Sequence, residues 1–246
     1  MEISNHYLKA PITEALLDLR VTVPPDVNLS SLLKIYKSID EEYPHLENML
    51  SFENNLIAAP VLTNQTKTSF TGFRFWSSDR RQICQARLDG FTFSRLAPYK
   101  DWDTLRDEAR RLWDIYREFT KPQKIQRVAV RYINRLDIPL PIQDFSDYLR
   151  TIPQLSSDLP QELNDYLLQL RIPERDLGGW LSLREAILPT PIEENIVSIV
   201  LDIDLFCEVD LQANSNEYWE LLEKIRVRKN QVFEACITDK TRELIK

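Results

Sequence analysis

The sequence predicts an α+β protein built from two pseudo-repeated units, each running strand, helix, antiparallel strands, helix. The strands would join in one long curved antiparallel sheet with helices packed on one side. Two observations predict this. Stretches of period-two apolar alternation are joined by hairpin signals such as Ser78-Asp79 and Asp89-Gly90, so neighbouring strands run antiparallel. Amphipathic stretches of period 3.6 recur between and after the strands in both halves, giving units 1–122 and 123–246 or one continuous domain.

Taken in order, Glu14 to Val23 is the first strand, with Ala15, Leu17, Leu19 and Val21 alternating against Glu14, Asp18 and Arg20. Pro24-Pro25 ends it, because two missing N–H groups cannot continue a ladder. Asn28 or Ser30 caps a helix to about Tyr43, with Leu29, Leu32, Leu33, Tyr36 and Ile39 on its buried stripe and Pro44 as its stop. Residues 45–66 carry no clear period, and Asn54-Asn55 and Pro60 mark turns. Strands follow at 69–77, 80–89 and 91–97. Asp101 to Thr104 then open a helix whose Trp102, Leu105, Ala109, Leu112, Trp113, Tyr116 and Phe119 share one face, closed by Lys121-Pro122.

The second half opens on a strand from Lys124, followed by a helical zone at 144–150 and 160–170 punctuated by Pro139, Pro141, Pro153 and Pro160. Trp180 to Ala186 and Ile196 to Val209 read as strands. A helix from Ser215 to Val232, with Tyr218, Leu221, Leu222 and Ile225 apolar, precedes a short helix capped by Thr238.

Composition excludes several classes. The 43% hydrophobic and 28% charged content is that of a soluble globular protein. No run of about 18 apolar residues exists to span a membrane. The N-terminus, with Glu2, Asn5 and His6, lacks an apolar signal core. Cys84, Cys207 and Cys236 are odd in number and widely spaced, which fits reduced thiols in the cytoplasm. Four glycines build neither a P-loop nor a G-x-G-x-x-G turn, and His6 and His45 form no H-E-x-x-H motif. There is no G-x-S-x-G elbow, so a histidine-dependent hydrolase is not expected and no cofactor is implied.

Charge is unevenly placed within the net −7: residues 67–135 hold 16 Lys and Arg against 8 Asp and Glu, and residues 151–220 hold 3 against 14. The basic part ends in Arg127-Val128-Ala129-Val130-Arg131-Tyr132-Ile133-Asn134-Arg135. As a strand this puts Arg127, Arg131 and Arg135 on one face and Val128, Val130, Tyr132, Asn134 and Leu136 on the other. With Arg74, Arg87 and Arg95 on other strands, these arginines are candidate binding residues, because guanidinium forks grip carboxylate or phosphate. Phe73, Phe75, Trp76, Phe91 and Phe93 would either stack on bases or fill the core. Asn134, an amide on an apolar face, ties down a neighbouring strand or touches a ligand. Asp202, Asp204 and Glu208 share a strand face; they would hold a divalent metal for phosphotransfer, or pair with the arginine strand if the two lie side by side.

Several stretches together resemble one family: Lys9-Ala10-Pro11-Ile12 with Glu14-Ala15, Gly72-Phe73-Arg74-Phe75, Leu88 to Leu96, Trp113 to Tyr116, Arg131 to Arg135, and Asn230 through Phe233-Glu234 to Thr238. It is an uncharacterised, sporadically distributed prokaryotic conserved-hypothetical family of about this length with no assigned activity. Its patchy distribution, similar to that of defence or toxin–antitoxin genes, implies a partner-binding role by analogy. The expectation is therefore a non-enzymatic cytoplasmic interaction protein, binding a protein partner or a second copy of itself through a charged sheet face. A nucleic-acid or nucleotide binder using the arginine row, and a metal-dependent phosphotransferase using Asp202 and Asp204, are the alternatives.

Overall fold

The computed structural model describes residues 7–58, 62–161, 163–191 and 194–246. Its strands are β1 (Ile12–Thr22), β2 (His45–Ala58), β3 (Leu62–Trp76), β4 (Gln82–Arg87), β5 (Gly90–Leu96), β6 (Lys124–Pro139), β7 (Leu167–Glu174), β8 (Gly179–Leu188) and β9 (Ile196–Gln212). They form one open sheet in the order β2-β3-β4-β5-β1-β6-β9-β8-β7, with each neighbouring pair antiparallel. Four helices accompany it: α1 (Leu29–Ile39), α2 (Trp102–Thr120), α3 (Glu217–Cys236) and α4 (Asp239–Ile245). Among the described residues no helix is long and apolar enough to cross a membrane.

The core lies on one face of the sheet. Phe75, Cys84, Phe93, Leu17, Val130, Leu205 and Leu181 stand side by side across seven strands, and all are buried. Period-two alternation generates this row, because each strand offers one apolar face and antiparallel register aligns them. Helices cover that face. Leu32, Ile35 and Ile39 of α1 are buried, and Tyr36 meets Phe75 at 5.5 Å between ring centres. Trp113 and Tyr116 of α2 lie on Phe91, and the Trp113 indole N–H donates to the Tyr218 hydroxyl of α3 at 2.9 Å.

Three helices begin where their caps predict, whereas α3 starts at Glu217 after Asn216 with no side-chain cap. Asn28 accepts from the Ser30 N–H to start α1, Asp101 from the Thr104 N–H to start α2, and Thr238 from the Thr241 N–H to start α4. Lys121, in the left-handed region at φ 45°, closes α2. Gly72 marks the tightest strand approach, since a Cβ there would lie 2.1 Å from the Ala86 carbonyl oxygen.

Three sequence expectations are corrected. Residues 45–58 and 62–76 are the long β2–β3 hairpin, so Asn54-Asn55 pair with Thr66 and Gln65 inside a strand and do not turn; Pro60, like Glu2, Asn5 and His6, lies outside the described residues. The expected helix at 160–170 is replaced by β7, where Leu168, Leu170 and Ile172 alternate. The expected helix at 144–150 is reduced to one 3₁₀ turn, Phe145–Asp147. The prolines that flank this zone interrupt helical hydrogen bonding in both stretches, and pairing with β8 gives residues 167–174 strand partners.

Candidate functional site

The arginine strand is β6, and its neighbours are β1 and β9. Register sets Arg131 opposite Asp204, Ile133 opposite Asp202 and Arg127 opposite Glu208, so the basic and acidic strands do lie side by side. Arg131 donates Nε to Asp202 Oδ1 at 2.7 Å and Nη2 to Oδ2 at 2.6 Å. Arg127 divides its fork between Asp18 (2.9 Å) and Asp204 (3.2 Å), with its guanidinium 4.4 Å over the Phe206 ring. Arg135 donates to Asp137 at 2.8 Å, and Arg87 donates to Asp18 at 2.8 Å and to Asp89 at 3.1 Å. Burial alone would raise the Asp18 carboxyl, but Arg87, Thr92 and Arg127 hold it below its ordinary value. Burial raises Asp204, with Arg127 and Arg131 opposing.

The face away from the helices is therefore a two-sided charge ladder, with carboxylates matched to guanidiniums along it. Asp202 and Asp204 are occupied by arginines, Glu208 is exposed, and among the described residues no three His, Cys, Asp or Glu side chains are grouped to hold a metal. Arg74 is exposed on this face, opposite Gln85. Arg95 belongs to the other side: it pairs with Ala15 and Gln82, and it lines a small recess with Tyr99 and Asp101 at the start of α2. Four of the five aromatics set beside the arginines are core, since Phe73, Phe75, Phe91 and Phe93 are buried under the helices, while Trp76 is half-buried on the face away from them.

Asn134 points toward the helices, donates Nδ2 to the Leu201 carbonyl at 3.0 Å, and opens on a cavity of about 560 Å³. The cavity has four walls. The segment Tyr7 to Ile12 forms one, held by Arg135 N–H to the Pro11 carbonyl (2.8 Å), Lys9 N–H to the Ile245 carbonyl (3.1 Å) and the Tyr7 hydroxyl to Glu234 (2.6 Å). The connection Ala97 to Trp102 forms the second, with the Trp102 indole donating to both Glu223 oxygens at 2.9 and 2.8 Å. Tyr132 and Asn134 of β6 form the floor. The last wall is α3, whose Arg226, Lys229, Asn230 and Phe233 follow the i, i+3, i+4, i+7 spacing of one helical face.

Lys229 is the cavity's most unusual group. It is 6% exposed, and its Nζ sits 3.5 Å from the centre of the Tyr132 ring. Burial, with the neighbouring Arg226 charge adding to it, pushes its ammonium down to about 7 from the ordinary lysine value. The Tyr132 and Tyr99 hydroxyls are hydrogen-bonded at 2.7 Å, and burial raises both, Tyr99 to about 12, so the pair stays protonated at neutral pH. The lining thus offers a buried amine, an amide, a hydroxyl pair and further cations at Lys9, Lys100 and Arg226 against aromatic walls. Asp101 and Glu234 are engaged with the Thr104 N–H and the Tyr7 hydroxyl.

Sequence reasoning reached Asn134 and missed Lys229. The signal is present: extending the α3 stripe from Leu222 and Ile225 by four residues reaches Lys229, a cation in a position that periodicity assigns to the core. No family model matches this chain, and no curated protein matches it.

Proposed function

We propose that the protein binds a small organic anion with an apolar or aromatic body in the cavity between α3, β6 and the Tyr7–Ile12 segment. The observation that carries this reading is the buried Lys229 in the lining of a space of about 560 Å³, which is the size of a drug-like ligand site. The lining holds four cations, Lys9, Lys100, Arg226 and Lys229, against two carboxylates, Asp101 and Glu234, and Trp102, Phe233 and Tyr99 supply flat apolar contact. Three of the six stretches that carry the family resemblance meet here: residues of Lys9 to Ile12, Tyr132 with Asn134, and Asn230 with Phe233-Glu234 line the cavity. Membership of that family belongs to the same proposal. So does a cytoplasmic location, which suits Cys84, Cys207 and Cys236 as buried free thiols.

The test is thermal shift and calorimetry against a panel of aromatic carboxylates, with Asn230→Trp as a variant that fills the cavity. Binding by the native protein and its loss in the variant is the expected result. A panel that leaves both proteins unshifted overturns the reading.

A protein partner on the charged sheet face is the second reading. Exposed Arg74 and the half-exposed Arg20, Arg135 and Arg184 at the rim of the ladder favour it, since rim charges exchange partners at little cost. The carboxylates interleaved with them weigh against nucleic acid, which needs a continuous basic track. We also propose that the halves 1–122 and 123–246 repeat one plan. In support, β1 and β6 lie adjacent at the sheet centre, and β5 and β9 each return beside the opening strand of their half.

A further inference from the structure

We infer that Lys229 is a nucleophilic amine that forms an imine with an anionic aldehyde or ketone held in the cavity. This rests on the proposed ligand site and names its substrate class.

The geometry supplies what the chemistry needs. Lys229 is nine-tenths buried and lines the cavity, so a carbonyl compound entering the space comes up against its side chain. The Tyr132 ring beneath the amine fixes its position at 3.5 Å from the ring centre. Tyr132 and Tyr99 present hydroxyls 2.7 Å apart from the floor and the second wall, able to give a proton to the carbonyl oxygen and recover one from the nitrogen. Lys9 and Lys100 lie round the same space to hold the anionic end. The charged groups facing Lys229 are Arg226 on its own helix and Lys9, Lys100 and Asp101 from the two connecting walls, with Glu234 tied to Tyr7. Positive neighbours and burial both favour the neutral amine, which is the reactive form.

The step balances without a redox partner. The Nζ lone pair forms a bond to the carbonyl carbon, and the C=O π pair moves to oxygen, which takes a proton from the tyrosine pair or from water. Nitrogen loses a proton to give the carbinolamine. Its lone pair then expels the hydroxyl, protonated as water, leaving a C=N bond; one amine and one carbonyl give one imine and one water.

The probes are para-carboxybenzaldehyde and its alcohol isostere para-hydroxymethylbenzoate, which keeps the shape and the carboxylate but has no carbonyl. The aldehyde is incubated with the full chain at pH 7 with sodium cyanoborohydride, which reduces the imine to a stable secondary amine, and peptide mapping locates the label. The expected result is labelling of Lys229 at least about tenfold faster than of the surface lysines, since their amines are almost wholly protonated at this pH. Lys229→Arg, which keeps the charge but has no amine to condense, should lose the fast label while still binding the isostere. Uniform labelling, or sparing of Lys229, overturns the imine. If the isostere nevertheless binds in a manner abolished by Asn230→Trp, the ligand site stands and only the covalent step falls. If neither compound binds, both fall.

Discussion

Arg131 grips Asp202 with both ends of its fork, at 2.7 and 2.6 Å, although Asp204 is the residue directly opposite it on β9. The side chain reaches diagonally, and this leaves Asp204 to Arg127, which is itself shared with Asp18. Three strands are thereby joined by side-chain charge as well as by their ladder hydrogen bonds. Bidentate pairing fixes both planes, so it favours one register over a slipped one.

Removing Arg131 leaves Asp202, with 7% of its side chain exposed, facing only the longer contact to Arg184 at 3.7 Å among the described residues. Arg131→Ala should destabilise by about 2–4 kcal/mol. Arg131→Leu with Asp202→Leu should recover most of that loss, because an apolar pair carries no desolvation cost. Urea unfolding of the single and double variants reads both; equal losses in the two would mean that the pair is net stabilising beyond its packing.

Asp18 predicts an acid limb. Its carboxyl is held below the ordinary value, so its contribution to stability is fully present above that ordinary value and is lost as pH falls through the lowered one. Unfolding midpoints measured from about pH 6 down to about pH 2.5 should fall for the native protein. Asp18→Asn should start lower, with Arg87 and Arg127 missing a counter-charge, and should fall less steeply over the same range. Parallel curves for the two proteins would refute this role.

Glu185 predicts the opposite slope. It is fully buried on the helix side of β8 beside the Tyr166 hydroxyl, its oxygens have no hydrogen-bond partner among the described residues, and burial raises it to about 7. Between the ordinary glutamate value and about 7 the unfolded chain has released this proton while the folded one keeps it. Stability therefore declines as pH rises through that window, by up to about 3 kcal/mol. Glu185→Gln removes the ionisation and keeps the shape, so its melting temperature should exceed the native value at pH 8 and match it near pH 4.5. Identical pH slopes in differential scanning calorimetry would contradict the assignment.

How far the sequence carried these arguments depends on the kind of signal. The alternation of Val128, Val130, Tyr132 and Leu136 against Arg127, Arg131 and Arg135 placed the two faces of β6 correctly, because a period of two follows from strand geometry alone. That Arg131 meets Asp202 was not legible: it depends on β6 and β9 becoming neighbours, and the two residues are 71 apart in the chain. Arg95 shows the limit of grouping arginines by residue type, since its own alternation with Phe91 and Phe93 puts it under the helices. The cavity was invisible because its walls come from four separate segments, although the misplaced cation in the α3 stripe was there to be seen.

That cation gives the last prediction. Lys229 is pushed down to about 7, whereas an unfolded lysine keeps its proton to about 10.5. Between these two values the unfolded chain holds the extra proton, so native stability rises with pH across the interval; below about 7 the fold carries a buried charge set against the Tyr132 ring face. Lys229→Met keeps the length of the side chain and removes the charge. At pH 6.5 it should be more stable than the native protein by about 1–3 kcal/mol, with the gap narrowing toward pH 9.5. A residue that weakens the fold where an apolar one would strengthen it is the pattern of a site kept for binding. The same variant should therefore lose at least about tenfold in affinity for any carboxylate the native cavity holds. A variant that is less stable than the native protein at pH 6.5 would show that Lys229 is structural, its ammonium held by Tyr132 as part of the core.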